Sequence, residues 1–304
     1  MPKRYMSWLM AGFCLLLASC GDNSGAGTGQ LKVGITDAPL DNAEAVVIHV
    51  TSATLHGPDG DTTMDVLDPT DGAAGRDIDL LRYQGGQWTG LFDNTVSAGH
   101  YSWIRLALDL TKSYIQINGA QYGLRCTSCE HAGYRINKSF DVTADATLTL
   151  MLDFDARKSI TDPGAAKADY ILRPTVRLVD SAASGSISGT VDGTLIASLG
   201  GGNCSVYVYD GFDATPDDVY IPLNMASPDS QNNPVSTANV ISDSSYTYTV
   251  SYLPEGNYTI ALTCDAINDS AANKDILTFS DTHNISVLAG ETAMLDFPAA
   301  PASP

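Results

Sequence analysis

The sequence predicts an all-β protein with two β-sandwich domains in tandem, and three observations support this prediction. From residue 31 onward, short runs of β-branched and other apolar residues alternate with Gly, Asp, Asn and Pro, and no long stretch has apolar residues at helical spacing. A break of small residues, Ser181-Ala-Ala-Ser-Gly185, divides the chain. The charge changes nearby, because no arginine follows Arg177. We therefore expect domains at residues 31–180 and 184–298, followed by a disordered tail at 299–304.

Residues 1–19 have the composition of a signal peptide. Lys3 and Arg4 precede an apolar segment at residues 6–17, which is shorter than the roughly 20 apolar residues that span a bilayer. The segment ends in Leu17-Ala-Ser-Cys20, which resembles the lipobox of bacterial lipoproteins. The resemblance implies cleavage before Cys20 and attachment of a diacylglycerol and an N-acyl chain such as palmitate, a stable membrane anchor. The alternative is an ordinary signal peptide with a cysteine there by chance.

Residues 20–30 are expected to form a lipidated tether in front of the first domain. They contain Gly and small polar residues and no large apolar side chain, as is typical of a flexible linker. Gly21 follows the cysteine, and the sorting rule known from enteric bacteria then favours the outer membrane. We therefore expect a lipid-anchored protein of the cell envelope, in the outer membrane of a Gram-negative bacterium.

The chain carries a formal net charge of −19 at pH 7. A surface with this charge repels phosphate-rich partners, so nucleic acid and direct docking on anionic lipid are disfavoured. After Arg177, Lys274 is the only basic residue, so the second half of the chain is strongly acidic. This composition favours solubility outside the cell or, alternatively, cation binding. Oxygen-rich loops that could bind Ca²⁺, without EF-hand spacing, contain Asp59, Asp61 and Asp65, and Asp210, Asp213, Asp217 and Asp218.

Four cysteines remain in the exported chain, since Cys14 lies in the signal peptide and Cys20 is lipidated. An even number in an oxidising compartment indicates disulfides. The simplest pairing is Cys126–Cys129 and Cys204–Cys264.

Cys126-x-x-Cys129-x-His131 is the most reactive-looking motif. It lacks the spacing of a haem site, a second ligand pair for zinc and the helix N-terminus of a thioredoxin-like site. We favour a structural disulfide, with metal or redox use as the alternative.

In the first domain, the alternation of apolar and polar residues predicts seven strands. Ile104, Leu106, Leu108 and Leu110 show the pattern most clearly, because they fall on alternate positions and so on one face. Residues 78–92 are expected to hold one short helix or an irregular loop. The predicted strands are residues 31–36, 45–55, 101–110, 113–118, 133–142, 147–154 and 170–179.

The same criteria predict six strands in the second domain. Residues 200–203 indicate a turn, and residues 214–240 contain a long polar loop. The predicted strands are residues 187–191, 204–209, 246–252, 257–264, 283–288 and 292–297.

Two short phrases recur in both domains. Gly99-His-Tyr101 and Gly256-Asn-Tyr258 each lead into a strand, and Thr149-Leu-Met-Leu-Asp-Phe154 is echoed by Thr292-Ala-Met-Leu-Asp-Phe297. A turn glycine, an aromatic residue and an alternating strand are the parts of a sandwich hairpin. The repetition predicts related topologies, with convergence as the alternative.

Several motifs of the first domain occur in the order typical of one bacterial and archaeal family. They are Leu31-Lys-Val-Gly-Ile-Thr-Asp-Ala-Pro39, Val46-Val-Ile-His-Val50, Gly99-x-Tyr101-x-x-Ile-Arg-Leu106, Asp153-Phe-Asp-Ala-Arg-Lys-Ser-Ile160 and Tyr170-x-Leu-Arg-Pro174. On these residues the domain resembles the family called domain of unknown function 4382, which implies no activity. Cys126-Thr-Ser-Cys129 departs from the family, whose members usually carry a plain polar turn there.

The second domain contains Gly185-Ser-Ile-Ser-Gly-Thr-Val191 and Leu253-Pro-Glu-Gly-Asn-Tyr258. These phrases resemble those of carboxypeptidase-regulatory, transthyretin-like and Cna-B sandwiches. The resemblance implies an immunoglobulin- or transthyretin-like sandwich that serves as a spacer, an adhesin or a companion domain, with some members in a starch-binding-like group. Some Cna-B sandwiches form a Lys–Asn isopeptide bond, but Lys274 lies in a polar loop and we do not expect that bond.

Two groups of residues are candidates for ligand binding. Tyr207 and Tyr209 share one strand face, as do Tyr246 and Tyr248, so they form either an aromatic platform for sugar rings or cross-strand pairs in the core. A mixed group of acids and bases forms either an anion-binding pocket or a salt-bridged sheet face. Its members are Asp153, Asp155, Arg157, Lys158, Arg173 and Arg177.

The sequence predicts that the protein is not an enzyme. Its five histidines are scattered, and Gly185-Ser-Ile-Ser-Gly189 places neither serine at the centre of a nucleophile elbow. We expect a non-enzymatic cell-envelope lipoprotein that presents two sandwiches to envelope proteins or the cell surface, with no resident cofactor or metal. One alternative is glycan binding through the Tyr-rich second domain, and another is Ca²⁺-dependent adhesion.

Overall fold

The computed structural model describes residues 27–41, 43–130, 132–164, 169–221, 232–242 and 245–299. The predicted signal peptide, Cys20 and most of the tether lie outside the described residues. The same holds for His131, for residues 222–231 of the long polar loop and for the tail from residue 300.

The first domain consists of strands joined by short turns, with one helix, α1 (Ala156–Ser159), and 3-10 turns at Leu80–Arg82 and Ser181–Ala183. Its strands are β1 (Thr28–Ala38), β2 (Ala45–Gly57), β3 (Gly60–Asp65), β4 (Arg76–Asp79), β5 (Thr89–Ser97), β6 (Gly99–Tyr101), β7 (Trp103–Leu108), β8 (Tyr114–Ile117), β9 (Ala120–Arg125), β10 (Tyr134–Ile136), β11 (Phe140–Val142), β12 (Thr147–Asp155), β13 (Ile160–Thr161), β14 (Tyr170–Leu172) and β15 (Val176–Asp180).

These strands form two main sheets. One is ordered β15-β12-β1-β5, and the other is ordered β10-β7-β2-β8-β9-β14-β13, with β3 and β4 also paired to β2. Apolar side chains from both sheets, among them Leu31, Ile35, Ile48 and Ile104, are fully buried in one shared core. The packing of two sheets over one core is a β-sandwich.

The second domain contains a helix, α2 (Gly193–Ser198), and a 3-10 turn at Ala266–Asn268. Its strands form two sheets, ordered β19-β20-β16-β23 and β18-β17-β21-β22. They are β16 (Ser184–Thr190), β17 (Ser205–Asp210), β18 (Ser236–Asn239), β19 (Ile241–Ser242), β20 (Tyr246–Pro254), β21 (Gly256–Thr263), β22 (His283–Val287) and β23 (Thr292–Met294).

Each domain has its own core. The larger cluster of buried apolar side chains is confined to the first domain, and a second cluster, which includes Ile187, Val206 and Val250, is confined to the second. The fold is therefore all-β, with two sandwiches in tandem, as predicted. Within the described residues, no helix has both the length and the apolar character needed to cross a bilayer.

The two domains share a pattern of strand pairing. In each, the first strand lies between an antiparallel neighbour and a parallel strand from later in the chain, which is β5-β1-β12 in the first domain and β20-β16-β23 in the second. The repeated phrases occupy corresponding places, since Gly99 and Gly256 closely follow the antiparallel neighbours β5 and β20, and the second phrase lies in β12 or begins in β23. Tyr101 donates its hydroxyl proton to the Ser97 carbonyl at 2.8 Å, and Tyr258 donates to the Pro254 carbonyl at 2.7 Å, each four residues back. Both are tyrosine corners of the kind that stabilise sandwich crossings.

Two of the differences between the structure and the sequence-based expectations lie early in the first domain. Strand β1 begins at Thr28, so three residues of the predicted tether belong to the first sheet. Gly29 is packed so closely that a Cβ there would lie 2.4 Å from the Thr143 carbonyl oxygen. Residues 78–92 form strand ends around the 3-10 turn at Leu80–Arg82 and no α-helix, because β4 pairs with β2 and β5 pairs with β1.

Candidate functional site at the domain junction

Three acidic residues of the first-domain motifs meet at one end of its sheet. Strands β1 and β12 are parallel and in register, so Asp37 lies beside Phe154, and Asp153 and Asp155 lie next to it. All three aspartates are buried. Asp37 accepts a hydrogen bond from the Ala156 N–H at 3.0 Å, and Asp155 accepts one from the Lys158 N–H at 3.0 Å. The acids of both motifs therefore fix the turn at α1, which presents the next two side chains to the second domain.

Arg157 crosses from this turn into the second domain. Its side chain is 1% exposed. Its Nη2 lies 2.5 Å from Asp41 Oδ2, and its Nη1 donates to the Ala266 carbonyl of the second domain at 2.7 Å. The guanidinium carbon lies 5.5 Å from the ring centroid of Tyr207, within the range of a cation–π interaction. The Nε–H group of Arg157 is buried and has no hydrogen-bond partner among the described residues.

Lys158 makes the second crossing. Its Nζ lies 2.8 Å from Asp155 Oδ2 and donates to the Val235 carbonyl of the second domain at 3.3 Å. Since the ammonium group is almost fully buried, the neighbouring carboxylate compensates its lost hydration.

Arg177 and Asp153 form a third ion pair close by, in which Nε donates to Asp153 Oδ2 at 2.9 Å and Nη2 contacts the same oxygen. Burial raises the pKa of Asp153, and the Arg177 charge opposes that effect. Arg173, also predicted as part of this group, bonds through its main chain to Ser159.

These contacts decide between the two interpretations of the mixed charged group. Arg157, Lys158 and Arg177 are each bonded to a carboxylate, so their charges are not available to bind an anion as a pocket. The group forms ion pairs, and the pairs lie buried near or across the domain junction. Sequence alone did not indicate this burial, because the covering residues are more than 70 positions away.

On the second-domain side, the junction contains a hydrogen-bonded pair that the sequence did not reveal. Tyr207 donates its hydroxyl proton to Asp269 Oδ2 at 2.5 Å, and Asp269 Oδ1 accepts from the Val219 N–H at 3.1 Å. Burial raises the pKa of Asp269 to about 6, although Arg157 and these donors act in the opposite direction. No spacing or motif marks Asp269 as special within the acidic loop after β21.

Asp269 also belongs to an acidic trio. Carboxylate oxygens of Asp218, Asp269 and Asp275 lie within 4.8 Å of one another. Main-chain donors bind them, since the Asp275 N–H donates to Asp218 at 2.5 Å and the Ser270 N–H donates to Asp275 at 2.7 Å. The trio thus joins the loop after β17 to the loop after β21.

The predicted oxygen-rich loops also have protein partners. Asp61 Oδ1 lies 2.5 Å from His56 Nδ1, and Asp59 accepts from the Ser97 hydroxyl. Asp213 accepts from the Asn284 side-chain amide at 2.7 Å. These aspartates therefore stabilise turns in the described structure.

A small cavity of about 220 Å³ lies between the domains. Asp37 and Asp153 of the first domain and Thr237 and Tyr252 of the second are among the residues that line it. Tyr252 has a left-handed backbone with φ 56°, and its hydroxyl donates to the Gly86 carbonyl across the junction at 3.3 Å. The hydrogen bond of Tyr252, which lines the cavity, is therefore a third link between the domains.

The structure contradicts the predicted tyrosine platform. Tyr207, Tyr209 and Tyr248 are at most 1% exposed, and only Tyr246 reaches solvent, at 39%. The outer face of β17 is covered by loops that pack on Tyr207 and Tyr209, and Phe279 meets both rings edge-on at 5.5 and 6.5 Å. Enclosed rings cannot stack on a sugar, so the cross-strand core alternative describes these side chains.

Both predicted disulfides are present. Cys204 and Cys264 link β17 to the end of β21, and Cys126 and Cys129 close a turn after β9. All four cysteines are buried. The Cys129 N–H donates to the Cys126 carbonyl at 3.0 Å, so the second bond stabilises a tight turn.

Comparison with solved structures gives only distant likenesses. The Bacillus anthracis TIE protein is 11% identical with a TM-score of 0.21, and the alignment covers 89% of this chain and 33% of that one, so this chain spans about a third of that protein. The minor pilin GBS52 of Streptococcus agalactiae is 9% identical with a TM-score of 0.20, over 91% of this chain and 99% of that one. BcpA, the major pilin subunit of Bacillus cereus, is 9% identical with a TM-score of 0.20, and the alignment covers 89% of this chain and 69% of that one. These scores are too low to support any inference about this chain.

Sequence comparison identifies the first domain alone. No curated protein matches the chain. The second domain lies beyond the family match, whose description names no activity. Residues 28–174 match the family Domain of unknown function (DUF4382), and the match includes strands β1 to β14 and the charged residues from Asp37 to Lys158 but ends before β15 and Arg177.

Proposed function

We propose that this chain is a non-enzymatic lipoprotein of the cell envelope, which holds two β-sandwich domains in a fixed relative orientation and presents them to other envelope proteins or to a surface. The junction is the observation that carries the proposal. Arg157 and Lys158 of the first domain donate to main-chain carbonyls of the second, and both side chains are buried. Domains joined by a flexible linker do not need such bonds, whereas a presenting module benefits from one rigid body.

The histidines support a role without catalysis. His49, His56 and His100 each have Nδ1 within 2.9 Å of an aspartate, on strands of the first domain. In the described part of the chain, no hydroxyl or thiol hydrogen-bonds to the other ring nitrogen, as a nucleophile in a triad would. We therefore assign these pairs to the stability of the sheet.

Placement in the envelope depends on Cys20. Two or more acyl chains on a mature N-terminal cysteine give stable attachment, and a glycine-rich tether then holds the first sandwich close to the membrane. The acidic surface keeps the body of the protein away from anionic lipid, so the acyl chains provide the attachment.

The anchor is tested by labelling cells with radioactive palmitate and following the label and the protein through membrane fractionation. We expect Cys20→Ser to abolish labelling and to release the protein from the membrane fraction. Cys14→Ser is the matched control, because it changes a cysteine of the signal peptide and should leave the label in place. A Cys20→Ser protein that remains labelled and sediments with membranes would contradict the proposal.

A further inference from the structure

The exposed face of the large first-domain sheet carries two arginines that have no acidic partner among the described residues. Arg135 of β10 lies directly opposite Arg105 of β7, which lies opposite Thr54 of β2 and then Thr63 of β3. One pair further along, Trp103 lies opposite His56. The intervening residues Ile104, Leu106 and Leu55 are buried in the core, so this row faces solvent. We call it the arginine face.

Trp103 holds the two guanidinium groups together. The Arg105 guanidinium carbon lies 4.5 Å from its ring centroid and that of Arg135 lies 5.7 Å away, both within cation–π range. His56 also stacks on this indole, with ring centroids 5.1 Å apart and planes 5° from parallel. The indole therefore orients both arginines, and their donor forks remain open to solvent.

Asp61 and Asp65 of β3 lie on the same face as Thr63, and Asp61 contacts His56, but the two arginines form no ion pair in the described structure. Like charges directly opposite in a sheet are unfavourable, and in the described part of the chain neither Arg105 nor Arg135 has a carboxylate within 4.0 Å. The protein has 35 acidic residues against 16 basic ones, so a partner would have been easy to provide. Arg82, Arg157 and Arg177 each have one, whereas Arg76, Arg125 and Arg173 have no ion pair in the described structure either.

A groove continues the arginine face where β10 meets β15. It has a volume of about 440 Å³ and is lined by Arg135 and Lys138 together with Tyr134 and apolar side chains, and no acidic residue is among the described residues that line it. Arg177 also lines it, but its charge is paired with Asp153. This volume is within the range of about 300 to 1,000 Å³ typical of ligand sites. Cations, an aromatic ring and open space thus occur together.

We propose that the arginine face and this groove bind an acidic polysaccharide, with the guanidinium forks of Arg105 and Arg135 on its carboxylate groups. Arginine matches the geometry of a carboxylate with two parallel hydrogen bonds. The hydroxyls of Thr54 and Thr63, 2.9 Å apart, suit hydrogen bonds with the hydroxyls of sugar rings.

The test uses the full-length exported protein, purified in a non-ionic detergent, and polygalacturonate as the probe. Methyl-esterified polygalacturonate has the same sugar backbone without the charge, and we expect it to bind at least tenfold more weakly. Binding should also weaken with added salt, because surface charge interactions are screened. The measurement is independent of lipid attachment, so its failure would leave the proposed anchoring function intact.

The double variant Arg105→Gln/Arg135→Gln should weaken binding at least tenfold, since hydrogen bonds to charged groups are the strong ones. The matched control is Arg82→Gln/Lys112→Gln, which changes the net charge equally at two exposed cations bonded to their own neighbours, Asp79 and Asp109. It should bind like the wild type. Arg105→Lys/Arg135→Lys keeps the charge without the forks and should bind with intermediate affinity.

Three results would overturn the proposal. One is no binding of polygalacturonate, and another is equal binding of its methyl ester. The third is an unchanged affinity of the glutamine double variant when its circular dichroism melt is that of the wild type. Tighter binding of a poly-glutamate peptide than of polygalacturonate would assign the face to an acidic protein partner instead.

Discussion

Single residues at the junction carry charges that folding removes from water. Asp269 is the clearest case, because its carboxylate accepts from Tyr207 and Val219 and still has a raised pKa. Burial opposes ionisation more strongly than these donors favour it. The protein therefore folds more readily with a proton on this group than without one.

This imbalance predicts a pH dependence of stability. The pKa of Asp269 is about 6 in the folded protein and near 3.9 in an unfolded chain. Its contribution to the free energy of unfolding is therefore fully present below about pH 4 and is lost as the pH rises through 6. Between pH 4 and pH 7, we expect the free energy of unfolding of the wild type to fall by about 2 to 3 kcal/mol relative to that of Asp269→Asn.

Urea unfolding of both proteins across this pH range measures the difference. Asp210→Asn, at an exposed position of the same domain, is the control and should follow the wild type. A constant difference between wild type and Asp269→Asn from pH 4 to 7 would show that Asp269 titrates normally.

The sequence could predict some residues of the site and not others. The motif acids Asp153 and Asp155 and the cations Arg157 and Lys158 stood out, because unlike charges follow one another in a short segment. The burial of Tyr207 and Tyr209 could not be predicted, since a strand pattern shows that two side chains share a face but does not show what covers that face. The covering residues, such as Phe279, come from loops far along the chain.

At the scale of elements, several strands with one buried face were predicted, but β5 and β18 were missed although each has three buried residues. β7 and β12 have apolar side chains that fix their period, and both were expected. β3 was missed because only Met64 among its residues is buried, and β19 was missed because both of its residues are exposed. Exposed edge strands are held by main-chain pairing, which leaves little trace in the sequence.

The two disulfides connect elements at very different separations, and this predicts different contributions to stability. Cys204 and Cys264 are 60 residues apart, whereas Cys126 and Cys129 are three apart. A longer closed loop restricts the unfolded chain more. We therefore expect Cys204→Ala/Cys264→Ala to lower the free energy of unfolding by about 4 kcal/mol and Cys126→Ala/Cys129→Ala to lower it by about 2 kcal/mol.

Urea unfolding of the two double variants measures this order, and each variant is the control for the other because both remove two buried sulfur atoms. The prediction would be contradicted if Cys126→Ala/Cys129→Ala lost more unfolding free energy than Cys204→Ala/Cys264→Ala. It would mean that the turn after β9 stabilises the folded state beyond the effect of loop closure.

At the scale of the whole molecule, the all-β fold with two sandwiches was predicted and the contacts between them were not. Small residues and a change of charge predict a boundary near residues 181–185, and the structure has two separate cores. The junction depends on partners such as Arg157 and Ala266, which are 109 residues apart. Nothing local to either segment indicates that distant partner.

Two cores joined by a few buried polar bonds predict a specific unfolding behaviour. While the junction is intact, each domain stabilises the other, so heating should unfold both in one transition. Arg157→Met removes the bond to Ala266 and leaves the Asp41 and Asp269 carboxylates without their cation. Breaking a buried pair in this way costs about 3 to 5 kcal/mol.

We therefore expect differential scanning calorimetry to show one transition for the wild type and two for Arg157→Met, with the first at a lower temperature. Arg82→Met is the control, because that side chain is 79% exposed and its pair with Asp79 contributes about 1 kcal/mol or less. If Arg157→Met unfolds in one transition at the wild-type temperature, the domains are not coupled through this residue. The fixed orientation on which the proposed presenting function depends would then have to come from Lys158 and Tyr252 alone.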